Sequence, residues 1–153
     1  MGSRRHTRVV KPANKPIYRA GGRRRAKPSV LIVEDDPCIR RLLREVLELE
    51  GYPIYGAAEH GIEGLVLLRF SQQPLVVVTG HIMPVMTGLD MLEEVARDPK
   101  LAARHRYVMA TAAVNLVHGA AVLDELDAAF VPKPFTVEQL LDAVERAARG
   151  VVR

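Results

Sequence analysis

From Ser29 onward the chain alternates short, nearly continuous apolar runs with longer amphipathic stretches, and that alternation leaves few folds open. SVLIVE (29–34), LVVVT (75–79), YVMAT (107–111) and AAFVP (128–132) are apolar at almost every position, with PIYGAA (53–58) a weaker fifth. Continuous apolar character is what a strand buried on both faces requires, as in a parallel sheet covered by helices. Between the runs, residues 37–50 place Ile39, Leu42, Leu43, Val46, Leu47 and Glu50 at helical spacing, with Asp36 able to cap and Pro37 at the first helical position. Segments 61–71, 88–97, 114–126 and 136–149 read the same way, the last opening on Thr136 with Gln139 three residues on, a capping box. Five βα units with right-handed crossovers predict an open, doubly wound α/β sheet.

Charge divides the chain in two. Residues 1–28 carry ten Lys/Arg and no acid, whereas residues 29–153 carry twelve Lys/Arg against eighteen Asp/Glu, so a +10 tail precedes a −6 body. Pro12, Pro16, Pro28 and Gly21-Gly22 interrupt the tail, which shows no period of 2 or 3.6 and is expected to be disordered. Its basic residues could displace counterions from nucleic-acid phosphate, with Tyr18 alone available for stacking; a solvated leader and a start codon set too far upstream are the plainer readings. A single cysteine, Cys38, excludes an intrachain disulfide. With no membrane-length apolar run and no secretory h-region, the expectation is a soluble cytoplasmic protein.

In a doubly wound sheet, ligands sit beyond the carboxyl ends of the strands near the switch point. There the sequence places Glu34 and Asp35 after the first strand, Thr79 and Gly80 after the third, Thr111 after the fourth and Lys133 after the fifth. Carboxylate oxygens suit Mg²⁺, and a hydroxyl with an ammonium suits phosphoryl oxygens. Two carboxylates about 4 Å apart repel by about 4 kcal/mol at an effective dielectric near 20, so a cation or Lys133 is expected between them. An acidic helix N-terminus is the plainer reading of EDDP taken alone.

In order and spacing, VLIVEDDP (30–37), MPVMTG (83–88), VMATA (108–112) and FVPKPF (130–135) resemble the receiver domain of bacterial two-component response regulators, over roughly residues 29–150. The resemblance implies a flavodoxin-like strand order 2-1-3-4-5 and no enzymatic output of its own. It also implies Mg²⁺ on the positions of Glu34 and Asp35 and on the backbone carbonyl of Ile82. Thr111 and Lys133 would contact the phosphoryl group, Phe130 would act as the aromatic switch, and Lys133–Pro134 would be cis. A sensor histidine kinase is the implied partner.

One position departs from the pattern: where the family carries its phospho-accepting aspartate, at the end of the third strand, this chain has Gly80. Glycine can neither attack a phosphoryl donor nor ligate a metal, so Mg²⁺ binding is expected to be weak or lost. Thr79 and His81 flank the position, and strand alternation is expected to aim both away from the pocket. Three functions follow: a stand-alone pseudo-receiver that binds a signalling partner through its fourth and fifth βα units, which could also form a homodimer; a receiver still phosphorylated at a neighbouring residue; or a nucleic-acid-associated protein acting through residues 1–28.

Other residues read as structural. His60 and Gly64 stand where the family more often has Asp and Ala. Cys38 lies beside acids that oppose thiolate formation. His105 and His118 are expected to be exposed, and Met83, Met86, Met91 and Met109 to pack loops and core. No dinucleotide glycine motif, Walker loop or zinc spacing occurs.

Overall fold

A computed structural model describes residues 26–113, 115 and 120–151. The five expected strands form as β1 (Ser29–Val33), β2 (Ile54–Ala58), β3 (Leu75–Gly80), β4 (Arg106–Thr111) and β5 (Ala129–Pro132). They make one parallel sheet in the order β2-β1-β3-β4-β5. Pro132 falls on the edge strand β5, where a missing N–H removes no inter-strand bond on the open side.

The helices are α1 (Pro37–Leu49), α2 (Gly61–Phe70), α3 (Gly88–Ala96), α4 (Pro99–Arg104), α5 (Ala121–Glu125) and α6 (Val137–Val151). Alternation along the strands feeds two cores. Leu31, Val33, Val77, Tyr107 and Met109 pack against α2 to α5, while Val30, Ile32, Val76, Val78, Val108 and Val131 pack against α1 and α6. Met83, Met91 and Met109 are buried, with Met86 packed against them.

The caps follow the sequence chemistry. Asp36 Oδ1 accepts from the Cys38 and Ile39 amides, with Pro37 opening α1, and Gly51 takes the left-handed conformation (φ 85°) that turns the chain out of that helix. Thr136 Oγ1 accepts from the Gln139 amide while Gln139 Oε1 accepts from that of Thr136. His60, in place of the family's more common Asp, still caps α2, its Nδ1 accepting from the Glu63 amide at 3.3 Å.

One helix goes beyond the sequence expectations, one expectation needs correction, and one element is described only in part. Helix α4 was not foreseen, although Asp98-Pro99 repeats the signal read at Asp36-Pro37: Asp98 Oδ1 accepts from the Lys100 and Leu101 amides. His105 is not exposed but wholly buried, its Nδ1 accepting from the Leu75 amide at 3.0 Å, because it sits at the junction of α4 and β4 behind the start of β3. The helix expected over 114–126 is described only as α5; residue 114 and residues 116–119, including His118, lie outside the described residues, as do residues 1–25 of the basic tail. The end of that tail already rests on the body: Lys27 Nζ sits 4.5 Å from the centre of the Tyr52 ring and donates to the Glu50 carbonyl.

Candidate functional site

The carboxyl ends of β1, β3, β4 and β5 surround a cavity of about 190 Å³ bordered by Glu34, Asp35, Gly80, His81, Ile82, Thr111 and Lys133. The residues expected at a phosphoryl site, Thr79 and Phe130 apart, are thus brought together. Glu34 follows directly on β1, and its amide donates to the Ala58 carbonyl of β2, which anchors it over the sheet. Thr111 ends β4 and is buried; its Oγ1 accepts from the Ala113 amide at 2.9 Å, and its carbonyl accepts from the Lys133 amide at 2.8 Å. That bond fixes the start of the β5 loop beside β4. The Lys133–Pro134 bond is cis.

Glu34 dominates the electrostatics. Its side chain is 5% exposed, and Oε2 lies 3.6 Å from Lys133 Nζ. Burial pushes its carboxyl above the usual value, against the opposing pull of Lys133. Oε1 accepts from the Asp36 amide at 3.3 Å. The same carboxylate fills the space beside residue 80, since a Cβ added to Gly80 would lie 2.7 Å from Glu34 Oε2.

The neighbours of Gly80 behave differently from one another. Thr79 is fully buried, with its Oγ1 donating to the Gly80 carbonyl at 2.8 Å, and it does not border the cavity. His81, expected to face away as well, does border it. It lies one residue past the end of β3, where strand alternation no longer governs direction. Its Nδ1 is buried without a hydrogen-bond partner among the described residues, and burial lowers its basicity. Ile82 is exposed. Beyond it, Val85 adopts φ 69°, with the Met86 amide donating to the Pro84 carbonyl at 2.8 Å, a tight γ-type turn unusual for a β-branched residue. Phe130 is half-buried against the core under α3 to α5, level with Met109 of β4.

Close packing under the site comes from Gly88. A Cβ there would fall 1.9 Å from the Gly80 carbonyl oxygen and 2.9 Å from Thr79 Oγ1, so α3 can approach the end of β3 only with glycine at its start. The Gly88 amide donates to the His81 carbonyl at 2.8 Å and closes the loop. Sequence reading placed Gly88 inside a motif without finding this role; only the packing reveals it.

The fold and pocket define a doubly wound α/β domain with its ligand crevice over the ends of four strands. The chain matches the response regulator receiver domain over residues 30–145, and it belongs to that family, the receivers of two-component signalling. It is 29% identical over 119 residues to the probable C4-dicarboxylate response regulator DctR of Priestia megaterium, a match covering 77% of this chain and 50% of that protein. Chemotaxis protein CheY1 of Helicobacter pylori is 29% identical over 119 residues, covering 76% of this chain and 93% of CheY1. The chain thus spans about half the length of DctR and nearly all of CheY1. Among solved structures, response regulator protein TrrA of Thermotoga maritima in complex with Mg²⁺-BeF superposes with a TM-score of 0.66 at 28% identity, covering 78% of this chain and 98% of that one. Among the described residues, no helix is long and apolar enough to cross a membrane.

Proposed function

We propose that this chain is a receiver that signals by binding a partner without being phosphorylated. The observation that carries the reading is Gly80 at the carboxyl end of β3, with the Glu34 carboxylate and Lys133 ammonium paired in the space beside it. A receiver's phosphoryl group would need an acceptor there, and glycine offers none. Thr79 is a poor substitute, being buried and committed to the Gly80 carbonyl; His81 borders the cavity but exposes only 6% of its surface.

By resemblance, Thr111 and Lys133 are the phosphoryl-contacting positions, Phe130 the switch aromatic, and Glu34, Asp35 and the Ile82 carbonyl the Mg²⁺ ligands. The donor set is short for a hard cation: Glu34 is held by Lys133 and its carboxyl is raised by burial, and no group of three or more His, Cys, Asp or Glu among the described residues could hold a metal. Mg²⁺ therefore binds weakly. Residues 29–150 form the receiver unit and residues 1–28 a basic appendage. The partner, a sensor histidine kinase or another signalling protein, is engaged through the fourth and fifth βα units in a state fixed by the Glu34–Lys133 pair.

Calorimetric titration with Mg²⁺ tests the reading. The natural chain should bind at least about tenfold more weakly than Gly80→Asp, which adds a carboxylate to the ligand set. Equal affinities would overturn it.

A further inference from the structure

The centre of the outer face of α2 is apolar where a surface helix ordinarily presents polar residues. Gly61, Gly64, Leu65 and Leu68 are buried on its inner side, while Ile62, Val66 and Phe70 stand outward at 44%, 44% and 76% exposure. These three follow one another at intervals of four residues and make a continuous apolar ridge. Glu63 and Arg69 flank it, both exposed.

We propose that this ridge is a self-association surface on which a second copy of the chain packs its own α2 antiparallel, with the two Val66 side chains on the two-fold axis. The placement of residues about Val66 selects that occupant. Ile62 and Phe70 lie four residues to either side, and Glu63 and Arg69 three residues to either side. Antiparallel pairing brings Ile62 and Glu63 of one copy level with the partner's Arg69 and Phe70, so each end of the seam holds one cation, one carboxylate and two apolar side chains. Parallel pairing would set Glu63 beside Glu63 and Arg69 beside Arg69. A closed two-fold contact is self-complementary in this way and builds no filament. One ten-residue helix covers less than the roughly 800 Å² per partner of a standard interface, so the dimer is weak and concentration-dependent. It also leaves the fourth and fifth units free, and it stands or falls independently of the phosphorylation-independent reading.

Sedimentation velocity from the micromolar to the millimolar range decides the matter. The natural chain should pass from monomer to dimer across that range. Val66→Asp, which sets two carboxylates on the axis, should remain monomeric with its melting temperature unchanged, since the site is exposed. Glu63→Arg and Arg69→Glu should each weaken dimerisation by about tenfold or more, through like charges at both ends. Because Glu63 Oε2 also accepts from the Glu59 amide at 3.0 Å, the informative sample is the equimolar mixture of these two variants, which restores opposite charges at each end and should dimerise as the natural chain does. A natural chain that stays monomeric throughout, a Val66→Asp variant that still dimerises, or a mixture no tighter than its components would overturn the proposal.

Discussion

Glu34 Oε2 lies 3.6 Å from Lys133 Nζ across the carboxyl edge of the sheet, with no side chain on residue 80 between them. The pair joins the loops after the first and the last strand. Removing the ammonium in Lys133→Met leaves a buried carboxyl without its counter-charge, at an expected loss of about 1 to 3 kcal/mol. Burial already raises the Glu34 carboxyl above 4.5, so the folded protein holds that proton more tightly than the unfolded chain. The stability this contributes is full below the unfolded value and is lost as pH rises through the folded one. Without Lys133 the carboxyl rises further, so the variant's melting deficit should be larger at pH 8 than at pH 5. A deficit independent of pH over that interval would show that the pair carries no such coupling.

His105 should dominate part of the acid limb of stability. Its buried imidazole is lowered to about 4, by burial first and by Arg104 second, and its neutral Nδ1 receives the Leu75 amide. An unfolded histidine titrates near 6.5, so between about 6.5 and 4 the unfolded chain binds more protons and stability falls as pH falls, by on the order of 3 kcal/mol in total. His105→Asn keeps an acceptor near the same place but cannot titrate. Urea midpoints of that variant should vary much less between pH 6.5 and 4 than those of the natural chain; parallel curves would remove His105 from the account.

Gly88→Ala should be among the most damaging single methyl additions to the domain. The methyl would overlap the Gly80 carbonyl at 1.9 Å, and the obstacle is backbone, which cannot rotate away. Chemical denaturation should register a loss of about 3 kcal/mol or more. By contrast, Gly80→Ala meets only the end of the Glu34 side chain and should cost far less. A Gly88→Ala variant as stable as the natural chain would mean that α3 does not approach β3 as closely as described.

The strands and most helices were legible because their signals are local: apolar runs, and caps such as Asp36 and Thr136 whose partners lie two or three residues away. The gathering of Glu34, Asp35, Thr111 and Lys133 was legible because sheet order alone carries strand ends to one edge. What escaped depends on contacts distant in sequence. His105 lies between two arginines in the chain, and nothing local shows that the start of β3, thirty residues earlier, supplies its partner. The occupation of the space beside Gly80 by Glu34, and the exclusion of any side chain from Gly88, are likewise three-dimensional facts. His81 escapes the alternation rule because it lies one residue past the end of β3.

The central claim is that no residue of this site accepts a phosphoryl group, and intact-protein mass spectrometry after incubation with acetyl phosphate and Mg²⁺ tests it most directly. The natural chain should show no phosphoryl adduct, while Gly80→Asp, in which Glu34 swings aside to admit the new carboxylate, should acquire one that is lost under the conditions that hydrolyse acyl phosphates. Labelling of the natural chain to the same extent as Gly80→Asp would contradict the account.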